Sequence, residues 1–187
     1  MYQTNEFRKG LKIEISGEPF LMVEAQFVKP GKGQAFTRCK LKSLISGNVI
    51  DRTYKSGEKV PKAPVEEVDM QYLYSDGDDF NFMDLSSYDT IAIPKENLDD
   101  TWKWLKESLE VKALLYKGRP ISVELPNFVA LEITYCEPGV KGDTAQGATK
   151  LAKLESGAEV QVPLFINQNE KIKIDTRTGQ YVERVKS

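Results

Sequence analysis

The 187-residue sequence predicts a mainly β protein built from three small β-barrels in series, with one short helix in the middle barrel. Two observations carry this. Strand-length runs rich in β-branched and aromatic residues recur along the whole chain and are punctuated by turn dipeptides. Charge is also segregated into thirds. Residues 1–63 hold 12 Lys and Arg against 6 Asp and Glu, residues 64–126 hold 6 against 14, and residues 127–187 hold 8 of each. Net charges of +6, −8 and 0 set the expected domain boundaries. The first break falls in "GEKVPKAPVEEV" and the second near "ELPNFVALEI". Each third is about 60 residues, near the lower limit for an independent core.

In the first third, "LKIEI", "EPFLMVEAQFV", "AFTRCKL" and "NVIDRTY" read as strands. Ser16-Gly17, the tip Pro30–Gly33 and Ser46-Gly47 divide them. In the second, "MQYLYSDGDDFNFMD" is a hairpin with Asp76-Gly77 at its turn. The expected helix is "NLDDTWKWLKESLE". There Leu98, Trp102, Leu105 and Leu109 fall at helical spacing, and Asp99 and Asp100 sit where the dipole favours anions. The last third returns to strands: "FVALEITYC", "AEVQVPLFI", "EKIKIDT" and "GQYVERV".

Composition narrows the chemistry. With 40% hydrophobic and 29% charged residues the chain reads as an ordinary soluble globular protein. No apolar run has the roughly 20 residues of a membrane span, and "MYQTNEFRKG" lacks the apolar stretch of a secretory signal. The expected address is cytoplasmic. Histidine is absent, which removes Ser-His-Asp and Cys-His nucleophiles and every imidazole-bearing zinc site. Cys39 and Cys136 lie in strand-like runs and read as free thiols acting as small hydrophobes. An enzyme would have to lean on carboxylates or lysine, and no pair stands out. "SDGDDF" lacks the spacing and the closing Glu of an EF-hand loop, so no metal site is expected there.

The sharpest local feature is "FVKPGKGQAF", residues 27–36, which holds Lys32 between two glycines at a hairpin tip. Pro30 presets φ near −65°, and Gly31 is expected to supply the positive φ of a type II turn. Gly33 is a second permissive position, and neither glycine adds bulk beside Lys32. Arg38, Lys40 and Lys42 alternate along the following strand and so share one face. With Lys29 and Lys32 they form a candidate phosphate footprint; a merely solubilising basic edge is the alternative. "EPGVKGDTAQG" offers Asp143 and Thr144 beside Gly142 in a long loop suited to reading sugar or base edges. Tyr181 and Arg184 close the chain. Three apart on a strand, they point to opposite faces unless a bulge intervenes.

Taken in order, "FVKPGKGQAF", "MQYLYSDGDDFNFMD", "ISVELPNFVALEI", "EPGVKGDTA", "VPLFI" and "GQYVERV" resemble the bacterial elongation factor P family along essentially the whole chain. The resemblance implies an N-terminal KOW/SH3-like barrel followed by two OB-fold barrels, in an L-shaped outline like that of tRNA. It also implies a factor that is not an enzyme. Such a factor binds the 70S ribosome beside peptidyl-tRNA, contacts ribosomal RNA, and relieves stalling at consecutive prolines. Lys32 matches the tip residue directed at the tRNA CCA end, which carries a β-lysyl or aminopentanol group in some bacteria. No other cofactor is implied, and a lysine-modifying enzyme becomes an expected partner. Lys at 32 argues against the branch in which a tip Arg carries rhamnose, and against the Arg-tipped paralogue. Gly31 and Gly33 match positions where the loop lies against RNA. Gly142, Asp143 and Thr144 match a loop that approaches the exit-site codon, and Tyr181 and Arg184 match terminal RNA contacts. The hypusine-bearing relative lacks a third barrel, unlike this sequence. The chain is expected to be monomeric. The alternative reading is a generic KOW/OB RNA-binding protein without ribosome specificity.

Overall fold

A computed structural model describes residues 1–139 and 147–186. Its strands are β1 (Tyr2–Gln3), β2 (Lys12–Ile15), β3 (Glu18–Val28), β4 (Phe36–Ser43), β5 (Val49–Lys55), β6 (Lys59–Val60), β7 (Val65–Ser75) and β8 (Asp79–Asp84). They continue with β9 (Thr90–Pro94), β10 (Glu110–Tyr116), β11 (Arg119–Glu124), β12 (Phe128–Cys136), β13 (Thr149–Leu154), β14 (Glu159–Pro163), β15 (Lys171–Asp175) and β16 (Gln180–Val185). Three antiparallel sheets follow from the pairing: β2-β3-β4-β5, then β11-β10-β7-β8-β9, then β14-β13-β12-β15-β16. The short β1–β6 pair and a bridge from Ile13 to Lys62 curl the first sheet toward closure. The protein is mainly β, as expected from the sequence.

By backbone proximity the chain forms two compact units. One comprises Met1–Glu67 with Leu114–Ser122; the other comprises Val68–Ala113 with Val123–Ser187. In the first, Ile13, Phe20, Met22, Cys39, Leu41 and Tyr54 make the core. Cys39 is fully buried there, and burial pushes its thiol up to about 11, so it is inert packing. Both cysteines are free. Within this unit the Tyr116 hydroxyl donates to the Gly17 carbonyl at 2.5 Å, tying the tip of the β10–β11 hairpin to the β2–β3 turn.

The second unit holds two cores. One gathers Met70, Tyr72, Phe80, Phe82, Ile93 and Val111; the other gathers Val129, Leu131, Ile133, Leu154, Val162 and Ile172. The expected helix over 97–110 does not form. Only two 3-10 turns appear, at Lys95–Asn97 and Thr101–Trp104, and Glu110 already begins β10. Asp99 (φ 47°) and Ser108 (φ 67°) adopt left-handed backbone, and Leu105 is extended. The cause is divided loyalty. Leu98, Trp102 and Leu105 pack on the first of these cores, as their spacing implied, but Trp104 enters the second. A continuous helix would turn its whole apolar stripe toward one core. The broken segment serves two.

Candidate functional site

Strands β3 and β4 run as a long pair from Phe20↔Ser43 out to Val28↔Phe36, and Lys32 sits in the loop beyond that last pair. The burial pattern of β4 alternates without a break: Thr37, Cys39, Leu41 and Ser43 are buried, while Arg38, Lys40 and Lys42 are exposed. This is the single-face basic stripe read from the sequence. Its neighbours modify it. Across from it lie Gln26, Glu24 and Leu21 on β3, and Thr53, Asp51 and Val49 on β5. Lys40 therefore stands between two carboxylates, with its Nζ 3.9 Å from Glu24 Oε2. Among the described residues Arg38 and Lys42 have no ion-pair partner, so the free charge of the stripe lies at its two ends.

At the tip, Gly31, Lys32 and Gly33 are all exposed, and no turn hydrogen bond closes the loop between Val28 and Phe36. Among the described residues Lys32 makes no hydrogen bond, ion pair or ring contact; neither does Lys29. The expected type II turn at Pro30-Gly31 is absent. Gly31 lies outside the left-handed region, and the positive φ falls two residues later at Gly33 (φ 116°). A Cβ on Gly31 would meet nothing within 4 Å, whereas one on Gly33 would meet Pro30 Cγ at 3.7 Å, an ordinary contact. The two glycines thus differ in kind. Gly33→Ala should lower stability by about 1 kcal/mol through backbone strain. Gly31→Ala should leave it within about 0.5 kcal/mol, as at other open surface sites. Chemical denaturation of both variants checks this, and equal losses would refute the distinction. A functional defect in Gly31→Ala would then report the space outside the loop.

Phe27, five residues before Lys32, was not singled out by sequence reasoning. It is 64% exposed and pairs with Thr37, and no ring packs on it. A bulge decides which face of β3 it takes. A register shift between Met22 and Glu24 leaves Val23 unmatched, so the inward face passes from Phe20 and Met22 to Ala25 and Phe27. Simple alternation would have turned Gln26 inward instead.

At the other end of the chain, a second bulge answers the question left open for Tyr181 and Arg184. Ile174 pairs with Tyr181 and Ile172 with Arg184, leaving Val182 unmatched. Both residues therefore share the face of the buried Ile172 and Ile174. Tyr181 is half-buried against the core of its barrel. Arg184 Nη1 donates to Glu170 Oε1 at 3.1 Å. That carboxylate also accepts the Asn167 backbone N–H at 2.8 Å. Its pKa lies below the usual glutamate value, first through that backbone hydrogen bond, then through the hydrogen bond and charge of Arg184. The loop residues Gly142, Asp143 and Thr144 lie outside the described residues. In the acidic β7–β8 turn, Asp79 N–H donates to Asp76 Oδ1 at 3.3 Å and Gly77 takes φ 114°, a self-contained hairpin turn. Among the described residues no helix is long and apolar enough to cross a membrane.

Comparison with known proteins finds three matches along the chain. Residues 3–60 match the elongation factor P KOW-like domain, residues 65–123 the elongation factor P OB domain, and residues 129–184 the elongation factor P C-terminal domain. Elongation factor P of Pelotomaculum thermopropionicum is 52% identical over 185 residues, covering 99% of this chain and 100% of that protein. The Moorella thermoacetica protein of the same name is 52% identical over 184 residues, covering 98% and 100%. A solved structure titled eukaryotic translation initiation factor 5A, from Methanococcus jannaschii, aligns with a TM-score of 0.54 at 23% identity. It covers 64% of this chain and 88% of that one, a likeness of fold. Three consecutive domain matches, with half of all residues identical from end to end, leave one conclusion: this chain belongs to the elongation factor P family of translation factors.

Proposed function

We propose that this translation elongation factor binds the 70S ribosome beside peptidyl-tRNA and speeds peptide-bond formation at consecutive prolines. It does so by holding the tRNA CCA end in place with the Lys32 loop. The observation that carries this reading is the idle lysine: Lys32 is exposed at the end of a long strand pair and has no partner among the described residues. Proline's ring fixes φ and makes the attacking nitrogen a constrained secondary amine, so a prolyl acceptor meets its donor in poor geometry. Each ~1.4 kcal/mol of added barrier slows the step tenfold. Orientation alone recovers much of such a loss. The chain contributes position and charge, and the bond-making centre belongs to the ribosome, so the factor is not itself an enzyme.

The cation is directed at phosphate-rich RNA. Lys32, Lys29 and the ends of the β4 stripe, Arg38 and Lys42, face it first, with the partly neutralised Lys40 between those ends. Gly31 and Gly33 keep the loop slim where it lies against RNA. Tyr181 and Arg184 contact RNA at the far end of the chain, and Gly142, Asp143 and Thr144 approach the exit-site codon. Lys32 carries a β-lysyl or aminopentanol group added by a dedicated enzyme, which lengthens its reach. The factor acts as a monomer in the cytoplasm.

The test is complementation. In a bacterium lacking its own factor, this chain should restore synthesis of a reporter interrupted by three prolines and leave a proline-free reporter unchanged. Its binding to 70S ribosomes should weaken steeply between about 50 and 200 mM salt, as several phosphate contacts require. A generic RNA-binding protein would leave the polyproline reporter stalled, and that result would overturn the proposal. Mass spectrometry of the peptide around Lys32, from natively expressed protein, identifies the attached group.

A further inference from the structure

On the outward face of the last sheet, Phe128 opens β12 with 44% of its surface exposed. It stands across from Asp175 on β15, and the next outward residue of its own strand is Ala130, opposite Lys173. The side chain of Ala130 is a single methyl, so a groove lies open beside the ring, bordered further by Glu183, Arg184 and Lys186. Two cations reach over that ring: Lys173 Nζ and Arg177 Cζ each lie 5.4 Å from its centroid. This is near the outer limit of a cation–π contact, so each sits loosely and leaves ring surface uncovered. Neither cation needs the ring to hold its place. Lys173 Nζ donates to Glu183 Oε1 at 2.9 Å, and the Arg177 guanidinium donates twice to Asp175, at 3.0 and 2.8 Å. The turn that carries Arg177 is pinned to the start of β12, where the Thr176 N–H donates to the Asn127 carbonyl at 2.9 Å and its hydroxyl to the Pro126 carbonyl at 2.7 Å. Glu183 and Asp175 each neutralise one cation. Lys186, exposed and without an ion-pair partner among the described residues, leaves the groove net positive.

We propose that Phe128 is a stacking platform for one unpaired RNA base, with Lys173, Arg177 and Lys186 meeting the phosphates on either side of it. The base lies against the ring and over Ala130, the one neighbour too small to obstruct it. An exposed aromatic ring beside fixed cations is the combination with which single-stranded nucleic acid is held, base on ring and phosphate on charge. A duplex hides its base faces and offers the groove phosphates alone. The platform borders Arg184 and deepens the reading of that end of the chain as an RNA contact. It rests on that reading for its ribosomal partner; the stacking itself does not.

Stacking is read by NMR of the Phe128 ring protons in the full chain. Oligouridylate, a single strand with unstacked bases, should move those signals upfield, and an RNA duplex of equal length should not. Unmoved signals with oligouridylate, or equal shifts with both probes, would overturn the platform. In 70S pelleting, Phe128→Leu should weaken binding by about fivefold or more, the lower end of what one stacked base contributes. Phe128→Trp, which enlarges the ring, should bind at least as well as wild type. The dependence of affinity on salt separates ring from charge. Its log–log slope should stay unchanged in Phe128→Leu and fall by about one in Lys186→Gln. Equal binding by wild type and a folded Phe128→Leu, with amide spectra as the control, would overturn the proposal. If leucine disturbs the sheet, the indole of Phe128→Trp decides: read against wild type, its fluorescence should be quenched by oligouridylate, and an unquenched indole would sink the idea. A wild-type chain that fails to bind ribosomes would instead overturn the ribosomal reading, and the oligouridylate titration would then decide the platform alone.

Discussion

Lys32→Ala should reduce synthesis through a three-proline reporter by about tenfold or more and leave a proline-free reporter and the fold unchanged. The size follows from position. Tenfold in rate is only ~1.4 kcal/mol, less than a single charge-assisted hydrogen bond to RNA can supply in a water-poor site. The selectivity follows from chemistry, because ordinary acceptors already attack in good geometry and gain little from a held donor. The fold is indifferent because Lys32 is exposed and without a partner among the described residues. A surface change of that kind stays within about 0.5 kcal/mol. Lys32→Arg divides the proposal further. It keeps the charge but removes the amine that a modifying enzyme acts on, so a bare-charge mechanism survives it and a modified-lysine mechanism does not. Reporter output in the complemented strain is the measurement. An unchanged polyproline signal from a stably folded Lys32→Ala would remove the tip from the mechanism.

Trp104→Ala should cost about 3–5 kcal/mol of stability, the range for deleting a large buried aromatic. Set against a total stability of about 5–15 kcal/mol, that loss is severe. Trp104 is 7% exposed and belongs to the core formed by Leu131, Ile133, Leu154 and Ile172, although the 3-10 turn that carries it lies between β9 and β10. Two features fix it there. The Ser156 hydroxyl donates to the Lys103 carbonyl at 2.5 Å, clamping the turn to the β13–β14 connection. Gly179 takes φ 71°, and a Cβ on it would lie 3.1 Å from Trp104 Cζ2. No other L residue sits there without strain and a displaced indole. Urea unfolding followed by the remaining Trp102 measures the loss. Cys136, in the same unit as Trp104, should become open to alkylation at lower urea than Cys39 in the other. A cost under about 1 kcal/mol would show that the indole fills space without joining the two cores.

Much of this was legible from local chemistry. The Asp76-Gly77 turn sits where the chain reverses, with Gly77 at φ 114°, because an L side chain resists that conformation. The alternation of Arg38, Lys40 and Lys42 became an exposed stripe because a strand has period two. The errors share a cause as well. Leu98, Trp102, Leu105 and Leu109 have helical spacing, yet Trp104 belongs to another core, and packing outweighed a weak local preference. The positive φ assigned to Gly31 fell on Gly33, since several turn types suit Pro-Gly-Lys-Gly equally well.

By itself, then, the sequence determined the β character, the lysine held between glycines at a hairpin tip, and, through whole-chain resemblance, the family. Tertiary structure alone decided which faces meet. The bulge at Val23 put Phe27 on the core-side face of β3, where its ring nonetheless stays exposed, and the bulge at Val182 brought Tyr181 and Arg184 to one face. Folding also put Glu24 and Asp51 on either side of Lys40, and buried Lys150 on the inward face of its strand. The physical reason is one of range. A strand's period is a property of adjacent residues, but a one-residue slip that reverses it, or a charge that neutralises it, comes from partners set by long-range pairing.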